Sequence, residues 1–474
     1  MTAKENKKNH KQYFTPPAIA GFMLKFVSAI EPDLLSGDSK LIDPSAGEGV
    51  FLSEAAALNS IKKENCFAIE KDISLNDHWH LNGYYGVPRK NVIFTDTLKL
   101  TVSASFDLVI GNPPFGLIKT DESDGLKISR YSIYNDYLSS SERKKVSSSF
   151  PMEVLFLEKF IGLCKPGGMI AIVLPRGIFA NSGMEYIRQW LAKRCSIRAI
   201  VELGGRFFQS SGASAKTTLL FATKNINESV STQDKTILAY AEHISDDRTE
   251  PDDLQSIIEY LKLSPDNKNS FNPNNSKVRI LEKSISEIGT FRWDPSYYDP
   301  VYESFYEEIM KSGNPVKLSD VLLPGGIITG YKGVQKYAVT DDKVLYITSK
   351  QITDEGIDLT KDNLFVDRES PGNPKRSRVR EGDILLVRSG DGCIGRAVLA
   401  TPEIYGANIR SEIYILRADS SKIEPSRIVS FFRSFLMPYN KRMLHFQIRR
   451  LLSGVGTPNL NKAEIASIMI PVQD

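Results

Sequence analysis

The chain has 474 residues, 41% of them hydrophobic and 25% charged, which is ordinary for a globular protein large enough to need no disulfide staples. Its net charge of +3 is too small to identify a polyanionic partner, and Cys66, Cys164, Cys195 and Cys393 are scattered without a C-x-x-C pair. That spacing argues against a zinc site or a disulfide framework, and no metal is expected. No apolar run is long enough to span a bilayer, and residues 1–11 are polar and basic, so a cytoplasmic, prokaryotic-type protein without a targeting signal is expected.

Gln12-Tyr13-Phe14-Thr15-Pro16-Pro17 opens the folded part. Thr15 reads as a helix N-cap with Pro16 at the first helical position, ahead of Ile19, Phe22, Met23, Phe26, Val27 and Ile30 at helical spacing. Lys40-Leu41-Ile42-Asp43 reads as a strand running into the small-residue turn Pro44-Ser45-Ala46-Gly47-Glu48-Gly49, with a helix from about Val50. Such a turn lets a ligand approach the backbone closely near a helix N-terminus. It is not the G-x-G-x-x-G fingerprint, and Asp43 and Glu48 put negative charge where a pyrophosphate would sit. A cationic or zwitterionic cofactor suits it better.

Cys66 to Glu70 reads as a second strand, and Glu70 stands at the distance from the turn at which an acid meets a ribose diol in such folds. Asn91 to Asp96 reads as a third strand ending in an acid able to accept from an exocyclic amine. The fourth strand, Phe106 to Gly111, breaks into Asn112-Pro113-Pro114-Phe115. Two prolines give a stiff backbone with free carbonyls, an amide precedes them and a ring follows. The loop presents fixed acceptors and a ring to something planar at the carboxyl edge of a sheet. Strands with helices between them, each ending in a polar residue, predict an α/β fold with a doubly wound parallel sheet.

Thr120 to Ser149 is polar and Ser-rich and reads as a long loop beside the site, with Arg130, Tyr131, Tyr134 and Tyr137 suited to a nucleic-acid backbone. A helix over Pro151 to Leu163 and a strand over Met169 to Pro175 follow. A helix near Met184 to Lys193 and a hairpin-like pair, Ile197 to Leu203 and Thr217 to Phe221, complete the sheet. His78-x-His80 reads as a polar surface loop. Residues 226–290 carry acidic patches and Asn/Pro/Ser clusters and read as a linker between a domain over 1–225 and another over 291–474. In the second domain short β-like runs, Lys343 to Thr348 and Gly382 to Arg388, alternate with Gly/Asp turns, and Arg427 to Leu452 reads as helices. Basic residues gather at Lys375, Arg376, Arg378 and Arg380, and again at Lys441, Arg442, Arg449 and Arg450.

The chemistry open to Asn112-Pro113-Pro114 is specific. An exocyclic amine on a base is a poor nucleophile because its lone pair is delocalised. The Asn112 side-chain oxygen and the Pro113 carbonyl can draw its two hydrogens, while Phe115 stacks on the ring. The base must first leave the duplex, and an adjacent sulfonium methyl is then attacked in line, with orientation and electrostatics supplying the rate.

The first half resembles the DNA amino-methyltransferases of the N6-adenine type, gamma class, as found in restriction-modification. The resemblance rests on the Gln12 to Pro17, Asp43 to Gly49, Glu70, Asp96 and Asn112 to Phe115 motifs, in the family's order. It implies a Rossmann-like methyltransferase sheet and S-adenosylmethionine held by Thr15, Asp43, Ser45, Gly47, Glu70, Lys71 and Asp96. It further implies Phe156 near the cofactor adenine, and Phe221 as a second ring against the flipped base, with Phe207 or Phe208 as rivals. The second half is similar to a type I specificity-subunit target-recognition domain of α+β character. Arg292 to Tyr298, Gly382 to Gly390, Ile394-Gly395-Arg396 and Gly454 to Leu460 carry that likeness. Only one such unit fits, which implies a self-contained enzyme reading one short site on double-stranded DNA through Lys375, Arg376, Arg378, Arg380, Arg388, Arg449 and Arg450. Only a short tail precedes Gln12, so methylation without cleavage is expected, any cognate endonuclease being a separate protein of a defence system. N4-cytosine methylation, protein or RNA methylation, and a non-catalytic DNA specificity factor stay open as alternatives.

Overall fold

The computed structural model describes residues 15–58, 61–119, 126–137, 149–204, 216–226, 235–242, 252–268, 270–271, 278–332, 341–360, 363–369, 375–439, 442–452 and 458–472. The chain divides into two units, Met1–Ser296 and Tyr297–Asp474. The first is built on a nine-stranded sheet. One end of it is made of the apolar runs β1 (Leu41–Asp43), β2 (Cys66–Glu70), β3 (Val92–Phe94) and β4 (Phe106–Gly111); β1, β2 and β4 are mostly buried, as parallel strands covered on both faces must be, whereas β3 is the edge strand and leaves Ile93 exposed. β1 lies between β2 and β4, parallel to both, with Leu41 opposite Cys66 on one side and Leu108 on the other. β7 (Cys164–Pro175) continues the parallel set beside β4, so Asp43, Glu70, Gly111 and Pro175 end at one edge. β8 (Cys195–Leu203) and β9 (Thr217–Lys224) form the expected antiparallel pair, β9 also pairing with β7. The mixed α/β sheet is the expected fold class.

Helix α1 (Pro17–Ile30) buries Ile19, Phe22, Met23, Phe26 and Val27. It starts one residue later than expected: Pro16 is its cap, with no side-chain capping bond, and Thr15 turns elsewhere. With helices α2 (Val50–Leu58) and α3 (Asn76–Leu81) it covers part of the sheet, so His78 and His80 stand on a helix and not in a loop.

The stretch 226–290 is not a linker. Its described residues include β10 (Lys235–Ala241), parallel to β8, and β11 (Arg279–Ser284), antiparallel to β10. Between them α7 (Asp253–Leu261) buries Leu254, Ile257, Ile258 and Tyr260, its first turn capped by Asp252. Polar clusters flank short apolar runs there, and burial of those runs decides the structure.

Arg292 to Ser296 also belongs to the first unit. Arg292 donates twice to Asp294, at 2.7 Å each, and Arg176, just past β7, reaches Asp294 at 2.6 Å and Glu202 at 2.7 Å. Burial pushes the Asp294 carboxyl up, but Arg292 and Arg176 more than offset it and hold it below the usual range. Arg188, fully buried, donates to the carbonyls of Ile178, Asn181, Thr290 and Phe291. Buried charges persist only when paired in this way.

The second unit is α+β. α8 (Pro300–Lys311) precedes β12 (Asn314–Lys317), which pairs with β22 (Met469–Val472). A four-stranded sheet holds β13 (Leu322–Thr329), β19 (Ile413–Ala418), β16 (Asp383–Val387) and β17 (Ala397–Leu399) in that order. β14 (Lys343–Ile347), β15 (Leu364–Asp367) and β18 (Asn408–Ile409) form another. The expected helical run 427–452 is interrupted: α9 (Pro425–Phe432) and α10 (Phe446–Leu451) flank a hairpin, β20 (Leu436–Tyr439) and β21 (Arg442–His445). His445 ends that hairpin fully buried among Phe431, Phe432, Phe435 and Phe446.

Candidate active site

The turn after β1 is shaped by glycines with left-handed backbones, Gly47 at φ 54° and Gly49 at φ 85°. Gly49 is also packed from behind, since a Cβ there would come within 2.6 Å of Tyr85 and 2.8 Å of Trp79. Those rings hold the turn by hydrogen bonds, Trp79 Nε1 donating to the Gly47 carbonyl and the Tyr85 hydroxyl to the Glu48 carbonyl, each at 2.8 Å. His78 Nε2 in turn lies 3.1 Å from the Tyr85 hydroxyl. Sequence reading missed this buttress; the signal was Trp79, Tyr84 and Tyr85 close together in a polar stretch.

Asp43 sits under the turn, almost wholly buried, with Oδ1 accepting from the Ser45 backbone N–H at 2.9 Å. Burial pushes its carboxyl up to about 8; the Ser45 bond opposes the shift and the nearby Glu70 charge adds to it. The same oxygen rests against Gly111, where a Cβ would meet it at 2.5 Å. The turn and the Asn112 loop are therefore packed on one buried carboxylate. Glu70 accepts from Gly47 N–H at 2.6 Å and from Asp72 N–H at 2.7 Å, and burial raises its carboxyl despite these donors. Asp96 caps Leu98 N–H with one oxygen and meets Lys71 at 2.9 Å with the other. Thr97 ties the end of β3 to the turn by donating to the Pro44 carbonyl at 2.6 Å.

These elements enclose a cleft of about 840 Å³, part of it open to solvent, the size of a small-molecule site. Ser45, Gly47, Glu70, Lys71, Asp96, Asn112, Pro113, Pro114 and Phe156 all line it. Asp72, Leu98, Ile118 and Met152, which sequence reading did not single out, line it too. Ile118 and Met152 arrive there because β5 (Leu117–Lys119) pairs with β6 (Ser149–Pro151) at the two ends of the expected long loop. α5 (Met152–Leu163) starts directly afterwards and carries Phe156 to the wall. Within that loop α4 (Ser132–Tyr137) is helical. Tyr131 is buried with its hydroxyl donated to the Leu98 carbonyl at 2.8 Å, so it is not available to a nucleic-acid backbone.

Asp43 and Thr15 stand behind the cleft wall. Thr15 Oγ1 accepts from Asn112 Nδ2 at 2.9 Å. Phe115 is half-buried, packed on the core and outside the lining. Phe221 does not fit a base-stacking role. It is fully buried on β9, on the same strand face as Leu219, and stacks on Phe26 of α1 at 4.1 Å. Its rivals Phe207 and Phe208 lie outside the described residues, as do Gln12 to Phe14 and Gly454 to Thr457.

The acids and acceptors around the cleft suit a ligand carrying a cation, a diol and an amine. That fits S-adenosylmethionine.

In the second unit, the basic residues separate into two sets. Arg388 donates to the Ser411 and Leu460 carbonyls at 3.0 and 3.2 Å and lies over Tyr414. Arg450 donates to the Tyr297 carbonyl at 2.7 Å and pairs with Glu303 at 2.9 Å. Arg378 donates to the Arg368 carbonyl at 2.6 Å and pairs with Glu369. These three are committed internally and do not serve as expected. Lys375, Arg376 and Arg380 are exposed, and Arg449 is half-buried.

Comparison with known proteins places the chain. A type II methyltransferase, M.BanIII of Aneurinibacillus aneurinilyticus, is 24% identical over 246 residues, which is 46% of this chain and 39% of that protein. Defense against restriction protein B of Escherichia phage P1 is 24% identical over 222 residues, 45% of this chain and 8% of the relative. The chain thus spans well under half the length of these curated relatives. The type IIG restriction endonuclease BpuSI shares the fold, with a TM-score of 0.52 at 14% identity over 99% of this chain and 60% of that one. The family model of the N-6 DNA methylases matches residues 1–278, more than half of the chain, and the chain belongs to that family.

Proposed function

We propose that the protein is a site-specific DNA adenine N6-methyltransferase that uses S-adenosylmethionine, serving as the modification enzyme of a restriction-modification or related defence system. The observation that carries this reading is the position of Asn112-Pro113-Pro114 on one wall of a cleft that also presents Glu70 and Asp96. The cofactor, when bound, supplies a methyl group on a positively charged sulfur. Glu70 is placed to take a ribose diol and Asp96 an adenine amine, with Phe156 against the ring. Asp43, buried beneath, favours a cationic ligand once ionised.

The Asn112 amide oxygen and the Pro113 carbonyl accept the two hydrogens of the target amine, which frees its lone pair to face the methyl group. The methylated amine then gives up one of its two protons to solvent, and the same acceptors hold the product's remaining N–H. No covalent intermediate with the protein is involved. Phe115 keeps its place as the stacking ring in this reading, through its exposed part. The second unit is read as the target-recognition domain, with Lys375, Arg376, Arg380 and Arg449 as its phosphate contacts. Its α+β character and these exposed cations support that reading.

The test is transfer of a labelled methyl group from S-adenosylmethionine to duplex DNA, RNA and protein, compared between the wild type and Asn112→Ala. Labelled DNA, lost in the variant, is the expected result. Label in protein or RNA, or undiminished labelling by the variant, overturns the proposal.

A further inference from the structure

We propose that Glu153 is a positioning residue for the loop Asn112 to Phe115, acting through Gly116. The proposal rests on the reading of Asn112, Pro113 and Phe115 as the groups that hold the target amine. Such groups work only if their supporting shell keeps them within about 0.5 Å of the productive geometry. The loop has few means of holding itself. Pro113 and Pro114 have no N–H, so past Asn112 only Phe115 and Gly116 can donate from the backbone before β5 begins. The near end is fixed. Gly111 stands in register with Ile172 of β7 and rests on Asp43, where a Cβ would come to 2.5 Å. The far end needs an anchor of its own.

That anchor is the first turn of α5. Gly116 has φ 126°, a conformation that favours glycine, and it bonds to α5 in both senses. Its carbonyl accepts from Met152 N–H at 2.7 Å, and its N–H donates to Glu153 Oε2 at 3.0 Å. Neither direction is ambiguous, because a backbone N–H only donates and a carbonyl only accepts. The ribbon explains why a side chain is needed here. β5 and β6 are antiparallel with Leu117 opposite Pro151, which has no N–H to give, so the next pair along, Gly116 and Met152, would exchange both ladder bonds. Met152 is instead the first residue of α5, and its carbonyl belongs to the helix. Only its N–H, one of the orphan donors of a helix start, remains for the loop. Glu153 supplies the missing acceptor, at a helix end where an acid is favoured. α5 is itself held by Val154, Leu155, Leu157 and Phe160, all buried. Loss of the Glu153 bond therefore releases the loop and leaves the helix, with Phe156 in the cleft wall, in place.

The experiment compares Glu153→Leu, which removes the acceptor, with Glu153→Gln, which keeps one oxygen able to accept from Gly116 N–H. Single-turnover methyl transfer to DNA that the wild type methylates is measured at saturating cofactor and DNA. Equilibrium binding of S-adenosylmethionine and the unfolding midpoint are measured alongside. A loosened loop is expected to slow the saturated rate by roughly 10- to 100-fold in Glu153→Leu. Cofactor affinity should stay within about twofold, and Glu153→Gln should recover most of the rate. The proposal falls if Glu153→Leu transfers at the wild-type rate, or if Glu153→Gln is as slow as Glu153→Leu. It falls equally if the slow rate comes with a matching loss of cofactor affinity or a collapsed midpoint, because Glu153 would then be supporting α5 and not the loop. Asn112→Ala, assayed in parallel, separates the two levels. If that variant still methylates DNA, the reading of Asn112 fails; if it is inactive while Glu153→Leu is normal, only the positioning role fails.

Discussion

Asp294→Ala should be among the most destabilising single changes outside the cleft. The side chain is 0% exposed and accepts three short bonds, two from Arg292 and one from Arg176. Its removal leaves Arg292 buried without that acid, while Arg176 keeps Glu202 at 2.7 Å. Breaking one side of a buried pair costs about 3–5 kcal/mol. At about 2–4 °C per kcal/mol for a domain of this size, the unfolding midpoint of the first unit should fall by roughly 6 to 20 °C. Asp38→Ala is the control: Asp38 meets Lys62 at 2.6 Å, but its side chain is 90% exposed, and its loss should leave the midpoint where it was. Calorimetry of the full chain with both variants gives the comparison. Equal midpoints for Asp294→Ala and Asp38→Ala would refute the claim that Arg292 to Ser296 is a structural part of the first unit.

Burial pushes His445 down to about 3, so the folded state stays unprotonated while the unfolded chain takes up a proton near 6.5. Stability of the second unit should therefore fall as pH drops from about 6.5 towards 3, by up to about 1.4 kcal/mol per pH unit, and His445→Phe should flatten that slope in urea titrations. Asp43 has the opposite sign. Its folded value is raised to about 8, so the ligand-free protein loses stability as pH rises from about 4 to 8. A cationic ligand should bind more tightly over pH 6.5 to 9 with proton release, and Asp43→Asn should remove that dependence in calorimetric binding. Arg376→Ala should weaken DNA binding and reduce the salt slope by roughly one counterion. Arg388→Ala should instead lower the melting temperature of the second unit, because it strips donors from the Ser411 and Leu460 carbonyls.

Much of the cleft was legible because its residues sit where apolar strands must end. Glu70 closes a buried run, Asp96 follows the apolar edge run Val92–Phe94, and Asn112-Pro113-Pro114 can continue neither strand nor helix, so all come to one sheet edge. Residues whose role depends on a distant partner were not legible. Thr15 satisfies the rule for an N-cap, yet its hydroxyl is taken by an amide far along the chain. Phe221 has the right chemistry for a base, but strand parity turns it into the core with Phe26. Trp79 and Tyr85 show their purpose only against Gly49. The stretch 226–290 was misread because composition averages over short strands, and basic runs hid which arginines had carbonyls to bind. Arg388 and Arg450 look like Arg376 until their acceptors are seen.

The central claim is that the cleft methylates adenine at N6 in DNA. It is tested most directly by sequencing modified bases in DNA from cells expressing the wild type or Asn112→Ala. The account predicts N6-methyladenine at one position of a single recurring sequence, absent with the variant. N4-methylcytosine at that sequence, or no modified base, would contradict it.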